Sequence, residues 1–314
     1  MVGCSRTKRT EGVDQRMWWF RRKRSQTPAA ATPLASVSQY RTHDGRLFLA
    51  DDPYPLPKDF AEVNRLDFQH YMLRYALPGN YLAPIIPQQI QDVLDIGAGT
   101  GRWAREVAEQ LPHANVIALD RVATNLVSAE MPPPNFVFVE GNLLTGLPFP
   151  DHSFDFVHQR LLYSAIPAQQ WPFVLHEIVR VTRPGGWIEL VEAATLENRS
   201  PIADQLNDWV VEACSRRGLD MTIAPHLGDM LHAAGIPNTA TRKITLPIGA
   251  YGGRLGTMLE KDILAIYQGS SALVVGAGLA TQETYLQAVQ QWEQDVTHYQ
   301  MAFPFYVIDG QKQR

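Results

Sequence analysis

Residues 93–108 read VLDIGAGTGRWAREVA: an apolar strand, three alternate glycines, then an amphipathic helix. A strand that turns tightly into a helix is the first half of a βαβ unit. It commits the neighbouring chain to a sheet with helices packed on it. Gly97, Gly99 and Gly101 permit left-handed backbone and leave no Cβ between the main chain and a ligand. The alternation continues. DVLDI, NVIALD, FVFVEG, SFDFVHQ and WIELVEA read as short apolar strands, with helices expected over 102–111, 124–129 and 169–182. Pro112, the three prolines at 132–134 and RPGG at 183–186 are expected to break the chain. The pattern predicts a mostly parallel, doubly covered α/β sheet.

Around this core the chain divides into further segments. Residues 1–27 carry eight cationic side chains against two acidic ones, and MWWFRRKR sets three aromatics beside four cations. A disordered tail is expected there, with an anionic-surface contact or a targeting peptide as alternatives. Residues 25–40 read as a linker, so 1–40 forms a basic tail and linker. An N-terminal helical cap is expected over 41–90, and 91–314 forms the main domain. Within the cap, DDPYPLPKD is a loop, and 60–77 has Phe60, Val63, Leu66, Met72, Leu73 and Leu77 at helical spacing before Pro78-Gly79. Beyond the core, IADQLNDWVVEACSRRG and PHLGDMLHAAG read as helices and ATRKITLPIG as a strand. The stretch 281–300 places Tyr285, Val289, Trp292, Val296 and Tyr299 on one helix face, and FPFYVI reads as the last strand.

The bulk properties bound the function. The 314 residues are 45% hydrophobic and 19% charged, with a net charge of −4, so nothing in the whole chain points to nucleic acid or a membrane surface. No run approaches the roughly 18–20 apolar residues of a membrane span. Cys4 and Cys214 share no metal-like spacing. A cytoplasmic protein with no metal is expected. Nothing in the sequence sets the oligomeric state.

The glycine turn selects its ligand by what surrounds it. A dinucleotide fingerprint wants a third glycine where Arg102 stands, and a P-loop needs a Gly-Lys-Ser/Thr that is absent. Asp95, two residues before Gly97, repels a pyrophosphate and suits a cationic amino group. Asp120 ends the second strand, where a carboxylate accepts bonds from ribose hydroxyls. It signals an adenosine-type ligand without choosing among them. Asn142 and Leu143 after the third strand suit an adenine edge and face, although an Asn there also reads as a turn residue. A ligand with an amino group, a ribose and an adenine but no phosphate fits S-adenosylmethionine.

With VLDIGAGTGRWA, VIALD, EGNLLTGLPFPDHSFDFVHQRLL and RPGGWIELVE in order, the chain resembles the class I S-adenosylmethionine-dependent methyltransferases. NRLDFQHYMLRYALPGNYLAPI and FPFYVIDGQK resemble, more loosely, the subgroup typified by fungal secondary-metabolism methyltransferase regulators, whose regulator role does not carry over. The resemblance implies a Rossmann-like sheet of seven mostly parallel strands with helices on both faces, FPFYVIDGQK being the antiparallel strand. It implies S-adenosylmethionine as cofactor. Gly97, Ala98, Gly99 and Gly101 belong to its binding turn, and Asp95 contacts its amino group directly or through water. Asp120 holds the ribose, and Arg121, Asn142 and Leu143 border the adenine. Gln159 and Arg160 face the methionine end, Arg160 having a structural ion pair as its alternative.

No catalytic residue stands out. A methyl sulfonium is already activated, so aligning the nucleophile and excluding water suffices for many acceptors. His158, inside an apolar strand, reads as a packed core histidine. His70, Tyr71 and Tyr163 are the candidates for the substrate mouth, while His226, His232, His298 and Tyr299 have no claim over one another. HQRLLYSAIP follows the fourth strand where relatives that methylate base or amide nitrogens carry Asn/Asp-Pro-Pro-Tyr/Phe. A small-molecule acceptor in specialised metabolism is therefore expected, its pocket walled by helix 60–77 and helical insertions between 196 and 300. Helix 60–77 is expected to close over the cofactor as a lid, with a static covering helix as the alternative. The alternatives are a protein or RNA methyltransferase docking through the basic tail, and a non-catalytic cofactor-binding regulator.

Overall fold

The computed structural model describes residues 40–313 apart from 44, 51 and 123–130. The basic tail and the helix expected over 124–129 lie outside the described residues. The first described element is a hairpin, β1 (Tyr40–His43) paired antiparallel with β2 (Arg46–Leu49), so the segment read as a helical cap begins with strands. Its helix, α1 (Phe60–Ala76), starts at Asp59, whose side chain accepts from the Glu62 N–H. Such a cap is worth about 1 kcal/mol.

The main sheet contains β3 (Asp92–Ile96), β4 (Asn115–Asp120), β5 (Phe136–Glu140), β6 (Phe154–Arg160), β7 (Thr182–Ala193), β8 (Thr239–Pro247) and β9 (Ala302–Gln311). Their spatial order is β5-β4-β3-β6-β7-β9-β8. The strands from β3 to β7 run parallel, and β9 is inserted antiparallel between β7 and β8. β3 is buried along its whole length, its two aspartates included, as befits a central strand covered on both faces. RPGG does not break the chain. It lies inside β7 as a bulge: Phe154 pairs with Thr182, and two residues later Phe156 pairs with Trp187. Left-handed Gly185 lets the extra residues loop out and the strand resume.

Helix α2 (Arg102–Gln110) packs one face of the sheet through Trp103, Ala104, Val107 and Ala108 against Val93, Val116 and Phe156. α3 (Trp171–Val181) precedes β7, and α5 (Leu227–Ala233) precedes β8. A second core gathers α1, α4 (Pro201–Ser215), α6 (Gly253–Gly276) and α7 (Gln282–Asp295) against Ala193, Leu246, Phe303 and Phe305. Those four residues mark the carboxyl end of the parallel strands, where α/β sheets bind ligands. On α7, Tyr285, Val289 and Trp292 are buried, as is Val296 just beyond it. Tyr299 is exposed because the helix ends at Asp295. No described helix is long and apolar enough to cross a membrane.

Candidate cofactor and acceptor cleft

A cleft runs from the glycine turn, under α1, to the helices of the second core. The turn itself is clamped. Gly97 and Gly99 have φ of +68° and +55°. The N–H groups of Gly97 and Ala98 both donate to Leu119 O at the end of β4, and that of Gly99 donates to Asp120 Oδ2 at 2.7 Å. These donors are thereby withdrawn from the pyrophosphate role they play in dinucleotide folds. Gly101 (φ +72°) caps α2 and does not line the cleft. Its position follows from the helix start, not from a ligand.

Asp120, Arg121, Asn142 and Leu143 all line the end of the cleft beyond the glycine turn. Burial pushes the Asp120 carboxyl up, opposed by nearby Lys58. Arg121 lies 3.4 Å from Asp52 in the proline-punctuated loop, which covers this end. Asn142 also serves its turn: Oδ1 accepts from Leu144 N at 3.0 Å. The turn and contact readings of this residue therefore coexist.

Beside β3 and β6, pleating decides which side chains meet. Asp95 on β3 is paired in register with His158 on β6, and Arg160 follows on the same face. All three line the cleft. Gln159 points the other way. It is fully buried, donates to Glu192, and is not part of the cleft, contrary to its sequence assignment. His158 is buried as expected of a core histidine, yet Nδ1 donates to Asp95 Oδ1 at 2.9 Å and its ring stacks on Trp103 at 3.7 Å. Asp95 is 3% exposed, and its Oδ2 has no hydrogen-bond partner. A buried carboxylate oxygen lacking a donor fits an ammonium group, and the two glycines leave the approach open.

His70 on α1 reaches this part of the cleft too. Its Nδ1 lies 3.2 Å from Arg160 Nη2, and its Nε2 lies 3.2 Å from Glu106 Oε2. Burial, reinforced by the Arg160 charge, lowers its pKa to about 4, so the ring is neutral and Nδ1 accepts from Arg160. Tyr71, its neighbour, lies on the outer side of α1. It is 44% exposed beneath the Arg102 guanidinium and does not line the cleft. Burial also lowers the Arg160 pKa, against the fields of Asp95, Glu106 and Glu189.

β6 ends in a strained turn. Leu161 has φ of +57°, an uncommon conformation for a branched side chain. The N–H groups of Leu162 and Tyr163 donate to Glu192 Oε1 and Oε2 at 2.8 and 3.1 Å. Burial raises the Glu192 pKa to about 8, while these donors and Gln159 oppose the shift. The turn places Leu162 against Gly97 and Tyr163 in the cleft wall. Burial pushes the Tyr163 phenol well up, with Glu192 adding to the shift, so it stays protonated.

Beyond Tyr163 the walls are Val210, Cys214, Met221, Ile266, Phe303 and Phe305. Over them lies a buried polar network. Arg65 donates to Glu62 and to Asp262 Oδ1, Gln69 donates to Asp262 Oδ2, and Tyr54 donates to Glu62. It fixes α1 to α6 and to the loop before it. Sequence reasoning missed this network, the role of His158 and that of Glu192, because each depends on a partner far along the chain. His226 and His232 lie on the turn before α5 and on α5, outside the cleft. Among the described residues, no cluster could hold a metal ion.

A methyltransferase-domain family profile matches residues 93–186. Methyltransferase str2 of Strobilurus tenacellus is 30% identical over 261 residues, 77% of this chain and 91% of that protein. Methyltransferase pytC of Aspergillus terreus is 29% identical over 237 residues, 72% of this chain and 71% of that protein. Among solved structures, a chain in the complex between the Haloferax volcanii Trm112 methyltransferase activator and a methyltransferase aligns with a TM-score of 0.50. It is 17% identical and covers 82% of this chain and 96% of that one, a likeness of fold alone.

Proposed function

We propose that this chain, which belongs to the S-adenosylmethionine-dependent methyltransferase family, methylates a small, largely apolar molecule of specialised metabolism. The observation that carries the proposal is the chamber bounded by Val210, Cys214, Met221, Ile266, Phe303 and Phe305, reached through the same cleft as the glycine turn. Its composition suits an aliphatic or aromatic acceptor. The fungal relatives support the specialised-metabolism setting.

The geometry supports the following residue roles. Asp95 takes the cofactor's amino group. Asp120 takes the ribose while also holding Gly99, and Leu143 packs the adenine with Asn142 at its edge. When bound, the cofactor supplies a methyl group on a positively charged sulfur, open to direct attack by a nucleophile. The protein's task is alignment and exclusion of water. α1 supplies the cover, with Arg65, Leu66, Gln69 and His70 over the cleft. The described carboxylates of the cleft, Asp52, Asp95 and Asp120, belong to its cofactor end, so the chamber brings no carboxylate base of its own. The Tyr163 phenol is held protonated and Ser270 Oγ donates to Ile266 O. Such walls orient an acceptor that is already nucleophilic.

Untargeted mass spectrometry of extracts incubated with the protein and S-adenosylmethionine tests this. The expected result is an apolar small molecule gaining one methyl group. Methylation of protein or RNA alone would overturn the acceptor class. Cofactor binding without turnover on any extract would favour a non-catalytic regulator.

A further inference from the structure

The structure assigns to His158 the positioning of Asp95 toward the cofactor's ammonium group. The inference rests on the reading that Asp95 takes that group. A carboxylate on a single sp³–sp² torsion turns over a broad range. Here one oxygen is tied. His158 lies directly opposite Asp95 in the sheet, and its Nδ1–H donates to Oδ1 at 2.9 Å. The imidazole cannot turn away. Its face lies on Trp103 at 3.7 Å with only 4° between the rings, and Trp103 is fixed through Nε1 to Asn80 O at 2.6 Å.

The same row of the sheet continues to Glu189, the register partner of His158 on β7. Glu189 Oε2 accepts from the N–H groups of Leu82 and Ala83. The one carboxylate that His158 hydrogen-bonds is that of Asp95, through Nδ1, its Nε2 having no partner, and Asp95 has one oxygen, Oδ2, without a donor. Both residues line the cleft and both are almost wholly buried. A half-satisfied buried carboxylate is costly. A ligand donor at Oδ2 completes it, and the histidine determines where that donor must sit.

Titration calorimetry separates the amino-acid end of the ligand from the adenosine end. S-adenosylhomocysteine carries the amino group, and 5′-methylthioadenosine lacks it. His158→Phe keeps a flat ring on Trp103 but removes the donor. It is expected to weaken S-adenosylhomocysteine about tenfold or more while changing 5′-methylthioadenosine by no more than about twofold. His158→Asn, which restores an N–H on a short side chain, recovers most of the loss. Equal weakening of both ligands by His158→Phe would reduce the residue to a structural role and overturn the inference. Unchanged S-adenosylhomocysteine binding in His158→Phe, with a loss in Asp95→Asn, would overturn it while leaving the Asp95 reading intact. If Asp95→Asn alters neither ligand, that reading fails first and takes the inference with it.

Discussion

At Gly97 two constraints coincide. Its φ is +68°, and an added Cβ would stand 2.5 Å from Leu162 Cδ2. Gly99 has the same backbone need, but the nearest atom to its added Cβ is Leu66 Cδ1 at 3.8 Å. Gly99→Ala should therefore cost the left-handed backbone penalty alone, about 1–2 kcal/mol. Gly97→Ala should cost more, and it should also weaken S-adenosylhomocysteine, because Leu162 belongs to the turn that walls the cleft. Denaturant unfolding and calorimetry on the two variants check this, and equal stability losses would show that Leu162 yields freely. His70 gives a pH prediction. Its pKa in the fold is about 4 against 6.5 for an unperturbed histidine, so below pH 6.5 the unfolded chain binds the extra proton. Stability from this group is intact above 6.5 and is lost as pH falls toward 4, by roughly 3 kcal/mol in all. Glu192, whose pKa is raised to about 8, has the opposite slope over part of that range. The measurement is thus a difference: His70→Asn keeps an acceptor for Arg160 and cannot titrate. The gap between wild type and variant should narrow with pH as wild type loses stability. A gap independent of pH between 6.5 and 4 would contradict a neutral buried His70.

Among the elements, α1 departs furthest from its sequence pattern. The spacing of Phe60, Val63 and Leu66 suggested an apolar inner face, yet Phe60 is 74% exposed, and Glu62, Arg65, Gln69 and His70 are buried beside Met72 and Leu73. The partner that makes this face tolerable, Asp262, is 197 residues away from Arg65. No local window contains it. Within α6, Gly256 marks close packing: a Cβ there would meet Gly249 O at 2.1 Å. Strands β3 to β7 were legible because each is a short, largely apolar run set off by helices, turns or prolines. The faces were harder: Asp95, His158 and Arg160 meet, while Gln159, one residue out of phase, does not. For α1 the consequence is mechanical. Arg65 ties it to α6 and Arg102 ties Asp67 to α2 at 2.8 Å. The helix should be a fixed cover and not the lid expected from its flanking loops. Hydrogen exchange over 60–76 should be slow with and without S-adenosylhomocysteine. Asp262→Ala, which leaves Arg65 half-paired in a buried site, should cost about 3 kcal/mol and speed that exchange. Strong protection appearing only on ligand binding would restore the lid.

At the scale of the molecule, the site is assembled from segments that lie far apart in sequence. Described lining residues run from Asp52 in the loop before α1 to Phe305 in β9. The described hydrophobic core begins at Phe48. The cationic residues of 1–27 precede all of these in the sequence. A chain lacking residues 1–27 should keep its unfolding midpoint and its affinity for S-adenosylhomocysteine. The informative comparison is with turnover. If the acceptor is a small apolar molecule held in the chamber, its methylation should also survive truncation, since α4, α6 and β9 supply the walls. If the acceptor is a protein or an RNA docked by the basic segment, methylation should fall steeply, and the loss in full-length protein should be reproduced by added salt, because contacts to polyanions weaken as counterions compete. Side-by-side assays of cofactor affinity and turnover on the full and truncated chains separate the two. Loss of S-adenosylhomocysteine binding itself would mean that the tail contributes to the cleft.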